Sequence, residues 1–145
     1  MTTHHNINIK KIFIFFIFFF NLLQAKEYKD IITDFEVVKV RDGDTFVINI
    51  SNIPDVFGSE IAVRIRGIDT PEKNDSRENI KKIALEAHRE LEKLLLSAKN
   101  IELYDLGRDK YFRLLASVKA DGVDVGQYLI RKGLAKKYNG GKKQW

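Results

Sequence analysis

Two short acidic segments, each placed directly after a run of β-forming residues, limit the folds open to this chain. The first is Asp42-Gly43-Asp44-Thr45 and the second is Asp69-Thr70-Pro71-Glu72. Residues 61–67 precede the second segment and alternate apolar side chains with Arg64 and Arg66, so both arginines share one face of a predicted strand. A guanidinium and a carboxylate therefore flank the same strand end, where both can face one ligand.

β-forming runs and amphipathic helices alternate along the rest of the chain. Five predicted strands span residues 35–41, 45–50, 61–67, 101–104 and 112–119, and residues 51–60 are predicted to form a loop. Helical periodicity predicts one helix over residues 78–98 and another from about 124 to 132, ending at Gly133. This order predicts an α+β fold, a five-stranded OB-type barrel with one long helix between strands three and four and one C-terminal helix.

The first 25 residues are typical of a secretory signal peptide. Lys10 and Lys11 precede an apolar run over residues 12–20, and Ala25 offers a small residue at the cleavage point. The run is shorter than the roughly 18 apolar residues that a membrane-spanning helix needs. An uncleaved membrane anchor is the alternative, and cleavage is favoured. We therefore expect one domain over residues 26–145, in the periplasm or outside the cell.

The composition excludes several kinds of site. The chain has no cysteine, and its three histidines are His4, His5 and His88, which excludes thiolate chemistry and disfavours an ordinary zinc site. Removal of residues 1–25 would lower the net charge from +5 to +3, and this mild excess would help a polyanion approach, although an ordinary basic domain has the same excess. Carboxylate oxygens remain as metal ligands, and they suit a hard divalent cation.

Five charged side chains have the chemistry for metal-assisted phosphodiester hydrolysis. Asp44 and Asp69 can share one cation, Glu72 can carry a proton, and Arg64 and Arg113 can hold a phosphate. Each motif alone has a simpler interpretation, because Asp-Gly pairs form hairpin turns, Asp and Pro form capped turns, and most arginines are surface residues. The combination of the motifs, rather than any one of them, favours a nuclease.

Four segments of the chain resemble the staphylococcal nuclease, or thermonuclease, family, and they occur in that family's order. They are VVKVRDGDT (37–45), VRIRGIDTPE (63–72), DKYFR (109–113) and LIRKGLA (129–135). The resemblance implies an OB-fold barrel and a Ca²⁺-dependent endonuclease that cleaves DNA and RNA with little sequence preference. It also implies cleavage of the bond to the 5′-oxygen, which leaves a 3′-phosphate, by a protein that acts as a monomer.

The resemblance also implies a role for each matching residue. Calcium would be bound by the carboxylates of Asp44 and Asp69 and by the main-chain carbonyl of Thr70. Asp42 would lie next to these ligands without binding the ion itself. Glu72 would act as general base on the attacking water. Arg64 and Arg113 would hold the scissile phosphate.

The chain differs from the family pattern at positions other than these site residues. Phe112 stands where the family archetype has a small residue, the 51–60 loop is longer, and the third helix of the archetype is missing from the pattern. Tyr138 is a candidate for stacking on a nucleotide, and Lys136 is a candidate phosphate contact within a basic tail that also fits a solvated terminus.

A non-catalytic OB module that binds single-stranded nucleic acid is the competing interpretation. Such a module has no reason to place Asp44, Asp69 and Glu72 where they would repel a phosphate, unless a metal ion reverses the local charge. The acidic residues therefore favour the enzyme.

Overall fold

The computed structural model describes residues 30–142 and 145, so the predicted signal peptide lies outside the described residues. Within these ranges no helix is long and apolar enough to cross a membrane. The elements defined there are β1 (Phe35–Asp42), β2 (Thr45–Ile50), α1 (Asp55–Gly58), β3 (Ile61–Ile65), β4 (Ile68–Asp69), α2 (Glu78–Ser97), β5 (Ile101–Arg108), β6 (Leu114–Ala120), β7 (Val123–Asp124), α3 (Val125–Arg131) and β8 (Lys136–Lys137). This mixed α+β architecture is consistent with the predicted OB-like fold.

The five longer strands form one curled sheet in the order β1-β2-β3-β6-β5, and β7 pairs with β6. Neighbours in this order are antiparallel except for β3 and β6, which are parallel. Ile32, just before β1, exchanges two backbone hydrogen bonds of 2.9 and 3.0 Å with Leu103 of β5. These bonds join the two outer edges of the sheet at one end.

The strand boundaries differ from the prediction on both sides of the β5–β6 connection. β5 continues to Arg108 rather than ending at residue 104, and β6 begins at Leu114 rather than at residue 112. The β5–β6 register shifts between Tyr104 and Gly107, where Asp105 has a left-handed φ of 49°. Such a bulge lets a strand continue past residues that do not alternate, and the sequence pattern does not reveal it.

The other differences lie at the end of β3, which stops at Ile65 rather than at residue 67, and at short elements. The predicted 51–60 loop contains the four-residue helix α1. Three strands of two residues each, β4, β7 and β8, were not predicted, because two residues carry no periodicity. Asp121 and Gly122 form the turn between β6 and β7, with φ values of 48° and 80° that suit a tight hairpin.

The turn between β1 and β2 is held against α2. Gly43 and Asp44 form this turn, and Asp42 pairs with Thr45 across it, so Asp44 lies within the turn rather than after it. A Cβ atom on Gly43 would lie 2.5 Å from the Cβ atom of Ala87 on α2. Glycine therefore permits a close approach that fixes the position of the first acidic segment.

One apolar core lies between the sheet and the two longer helices. Helix α2 buries the small and branched residues on one face, which are Ala84, Ala87, Leu91 and Leu95. They join buried residues of the sheet and of α3, among them Phe46, Val63 and Leu129. Burial of each large apolar side chain is worth roughly 1.5–3 kcal/mol, so this core supplies the main stabilisation of the fold.

The chain after α3 returns to the second acidic segment. The side chain of Asp124 caps α3 by accepting a hydrogen bond from the Gln127 amide, and Gly133 follows the helix with a φ of 72°, as predicted. Strand β8 then pairs with β4 and places Lys136 opposite Asp69. Lys136 and Lys137 therefore belong to a short strand, in which Lys136 is partly buried and Lys137 is exposed.

Candidate active site

A cleft of about 820 Å³ opens beside the β1–β2 turn, the end of β3 and the β5–β6 loop. It brings together almost all of the predicted site residues, which are Asp42, Asp44, Arg64, Asp69, Thr70, Glu72, Arg113 and Tyr138. Lys136 is the predicted site residue that does not line it. Segments far apart in the sequence thus meet at one cleft, as the spacing of the motifs predicted.

The carboxylate of Asp44 is buried and held from several sides. Its Oδ2 atom accepts hydrogen bonds from the amide and the hydroxyl of Thr70, both at 3.0 Å, and its Oδ1 atom accepts one at 2.9 Å from the hydroxyl of Thr45. These bonds tie the first acidic segment directly to the second. The position of Asp44 therefore does not depend on a ligand.

Arg64 lies between the two acidic segments and contacts both. Its guanidinium lies 3.0 Å from Oδ2 of Asp44 and 3.3 Å from Oδ1 of Asp69, and it also donates to the carbonyl of Ile65. All three charged side chains are at least nine-tenths buried. Two carboxylates thus share one arginine, so the cluster carries an excess of negative charge.

The donor atoms of this cluster fit a hard divalent cation. Asp44 and Asp69 already converge on one positive charge, and the Thr70 carbonyl lies in the same segment as Asp69. Across residues 30–142 and 145, no three His, Cys, Asp or Glu side chains are grouped to hold a metal. The protein would therefore supply two carboxylates and a carbonyl, and water or substrate oxygens would complete the coordination.

Arg113 reaches the same part of the cleft from the β5–β6 loop. Its Nη1 atom lies 3.5 Å from the Thr45 hydroxyl, and its Nε atom donates to Oδ2 of Asp109 at 2.7 Å. Burial by itself would raise the pKa of Asp109, but hydrogen bonds from Arg113 and from the Tyr111 amide outweigh it and place that pKa below its ordinary value. Asp109 is therefore an ionised partner that orients Arg113.

Glu72 and Asp42 lie at the outer part of the cleft. Glu72 is exposed and lies two residues after Thr70, beyond Pro71. Asp42 is partly exposed and forms an ion pair of 3.7 Å with Lys73, which also donates to the carbonyl of Arg41. Asp42 therefore helps to hold the segment that carries Glu72.

The C-terminal segment covers the side of the second acidic segment. Tyr138 lines the cleft and donates from its amide to the Gly67 carbonyl at 2.9 Å. Trp145 donates from Nε1 to the carbonyl of Asp69 at 3.0 Å, and the ammonium group of Lys136 lies 4.3 Å from the centre of its ring. Lys136 thus supports Trp145.

Three residues of the site were not predicted from the sequence. Thr45 connects Arg113 to Asp44, Asp109 orients Arg113, and Trp145 holds the main chain of Asp69. Asp109 precedes Arg113 by four residues in a polar segment, and this spacing is the one signal that would have identified it. Nothing in the local sequence of Thr45 or Trp145 indicates their partners.

Several known proteins have sequences similar to that of this chain. A sequence profile described as staphylococcal nuclease homologue matches residues 62–144. The SPbeta prophage-derived endonuclease YokF of Bacillus subtilis is 34% identical over 113 residues, which cover 77% of this chain and 35% of YokF. Endonuclease YncB of the same organism is 36% identical over 97 residues, covering 66% of this chain and 43% of YncB.

A eukaryotic protein gives a similar result. A probable endonuclease of Schizosaccharomyces pombe is 36% identical over 93 residues, covering 59% of this chain and 40% of that protein. The chain spans less than half the length of each of these curated relatives.

Proposed function

Because this chain belongs to the staphylococcal nuclease homologue family, we propose that it is a Ca²⁺-dependent endonuclease acting on both DNA and RNA. The reaction is hydrolysis of a phosphodiester at the 5′-oxygen side, which leaves a 3′-phosphate. One observation carries the proposal: the buried cluster of Asp44, Asp69 and Arg64 opens into the same cleft as Arg113. A metal ion in this cluster would offset the charge of a phosphate.

The two arginines hold the scissile phosphate in this proposal. Arg64 contacts Asp44 and Arg113 contacts the adjacent Thr45, so both guanidinium groups face one short segment of the cleft. Each can donate two parallel hydrogen bonds to phosphate oxygens. Their positive charge would stabilise the negative charge that develops on those oxygens in the transition state.

The acidic residues divide between cation binding and proton transfer. Asp44, Asp69 and the Thr70 carbonyl would hold Ca²⁺, which supplies electrostatic stabilisation of the phosphate when bound. Glu72 is the exposed carboxylate at the cleft and accepts a proton from the attacking water. Trp145 and Thr45 keep the ligands in place through hydrogen bonds to Asp69 and Asp44.

The test is digestion of supercoiled plasmid and of a structureless RNA by the purified protein, with calcium and with excess chelator. We expect both substrates to be cut only with calcium, and the products to carry 3′-phosphates that a phosphatase removes. Asp69→Asn and Asp44→Asn variants should have lost calcium binding in a calorimetric titration. Cutting that continues unchanged in chelator would contradict the metal assignment. Binding of nucleic acid without any cutting would instead support the non-catalytic OB module.

A further inference from the structure

Phe112 combines a left-handed backbone conformation with an exposed aromatic ring. Its backbone φ is 61°, in the left-handed region that a bulky residue rarely adopts, and its side chain is 80% exposed. Both features are unfavourable for a phenylalanine in an isolated protein, because the backbone is strained and an apolar ring faces water. Strain of this kind is often found at ligand-binding sites.

The turn that presents Phe112 is held by a dense set of hydrogen bonds. The Asp109 carboxylate accepts from the amides of Tyr111 and Arg113 at 2.8 and 3.0 Å. The Phe112 amide donates to the Asp109 carbonyl at 3.0 Å, and the Arg108 guanidinium donates to the Phe112 carbonyl at 2.9 Å. The exposed ring is therefore presented by a preorganised turn, which lowers the entropic cost of binding.

The surroundings of Phe112 match a nucleic-acid strand. Arg108, Lys110 and Arg113 lie within four residues of it, and although Phe112 is not itself a lining residue of the cleft, its neighbours Tyr111 and Arg113 are. Tyr111 is also exposed, but its ring is contacted by the cations of Lys110 at 4.9 Å and Arg113 at 5.5 Å. In the described part of the chain no such cation lies over the ring of Phe112. That ring is therefore available to a base.

Building on the nuclease function proposed above, we propose that Phe112 stacks on an unpaired base next to the phosphate held by Arg113. Aromatic rings bind bases of any sequence in this way, and positive charges beside the ring hold the adjoining backbone. A base within a duplex is covered by its neighbours and is not available to the ring. The ring therefore contacts a base in a single-stranded part of the nucleic acid.

The test removes the ring and keeps the turn. Asparagine adopts the left-handed conformation readily, so Phe112→Asn should fold with a thermal midpoint equal to or above that of the unchanged protein. Phe112→Gly is the second variant, since glycine adopts the same φ without strain. The matched control is Phe57→Asn, which removes another exposed ring, on α1 and far in sequence from the residues that line the cleft beside Phe112.

Binding is measured by calorimetry in calcium with a hydrolysis-resistant phosphorothioate oligothymidylate and with an abasic strand of the same length. We expect the unchanged protein to bind oligothymidylate more tightly than the abasic strand. Phe112→Asn and Phe112→Gly should weaken oligothymidylate binding by roughly tenfold, the scale of one base–aromatic stack, and leave the abasic strand unaffected. Phe57→Asn should change neither affinity, and Phe112→Tyr should retain both.

Two outcomes would overturn the stacking role. One is an equal affinity of the unchanged protein for the two strands, or no binding to either. The other is a loss in the Phe112 variants that is absent or the same for both strands. The assay needs no cleavage, so a protein that stacks bases and never cuts plasmid would contradict the nuclease function alone.

Discussion

Arg64 contacts both acidic segments through its planar guanidinium group, and a lysine at this position could not make the same contacts. Lysine keeps the charge but is a point donor, and it cannot contact Asp44, Asp69 and a phosphate through one planar group. We expect Arg64→Lys and Arg113→Lys each to lower kcat by about 10²-fold or more, the scale of a lost transition-state donor. The measurement is single-turnover cleavage of a short DNA in calcium.

A surface arginine provides the comparison for these variants. Arg89 is exposed on α2, and Arg89→Lys should retain full turnover. Near-normal rates for both Arg64→Lys and Arg113→Lys would remove the phosphate-holding role from these residues.

Glu72 is proposed to act as general base and not as a calcium ligand, and these two roles can be distinguished by experiment. Pro71 lies between it and the segment of Asp69 and Thr70, so its carboxylate can act on a water beside the cation. Glu72→Gln should lower kcat by about 10²–10⁴-fold, as expected for a lost general base, while calorimetric calcium affinity changes little. Glu86→Gln, an exposed substitution on α2, is the control. If calcium binding falls in proportion to the rate, Glu72 is a ligand.

Side-chain chemistry made the site residues predictable, whereas their contacts depend on strand register. The acidic and basic residue types and their order predicted the lining of the cleft, including Asp44, Arg64 and Asp69. That Arg64 is shared by two carboxylates follows from the β2–β3 register, which pairs Arg64 with Thr45. Register is set by the packing of whole strands, so local sequence does not reveal such contacts.

At the scale of elements, Glu90 links α2 to α3. Its Oε2 atom accepts a hydrogen bond of 2.8 Å from the Tyr128 hydroxyl and lies 3.0 Å from the ammonium group of Lys132. The Lys132 and Tyr128 hydrogen bonds hold the pKa of Glu90 below its ordinary value of 4.5. This stabilisation is complete above pH 4.5 and is lost as the pH falls through the lowered pKa.

We therefore expect Glu90→Gln to lower the free energy of unfolding at pH 7, because the amide cannot replace the charged partner of Lys132. The difference from the unchanged protein should begin to shrink as the pH falls below 4.5 and should vanish as it falls through the lowered pKa, where the native carboxylate becomes protonated. Urea unfolding at pH 7 and near pH 3 measures both effects. A difference that stays constant with pH would mean that the ionised carboxylate of Glu90 does not tie the helices together.

The longer elements followed from their periodicity, and the shortest did not. The apolar spacing in α2 predicted its extent within about a residue, because a long run of apolar residues at this spacing fits a helix and no other element. The two-residue strands β4 and β8 exist because Ile68 and Asp69 meet Lys137 and Lys136 from the other end of the chain. Contacts over that distance arise from tertiary packing and leave no local signal.

At the scale of the whole molecule, we propose that the protein is exported and acts as a monomer in the periplasm or outside the cell. The interruption of the apolar stretch by Asn21, followed by Gln24 and Ala25, is the reason to expect cleavage after residue 25. Intact mass measurement of protein from the secreting cells should give a chain that begins at Lys26. Recovery of the full-length chain alone, in the membrane fraction, would instead favour the uncleaved anchor.

Trp145 also gives the protein a built-in optical probe. It is the single tryptophan in the sequence, and its indole is hydrogen-bonded to the main chain of Asp69, one of the proposed calcium ligands. Indole emission responds to nearby charge and to hydrogen bonding, so occupation of the cluster by a cation should be visible as a change in intrinsic fluorescence. Cation affinity and the order of cation and substrate binding thereby become measurable in the unlabelled protein.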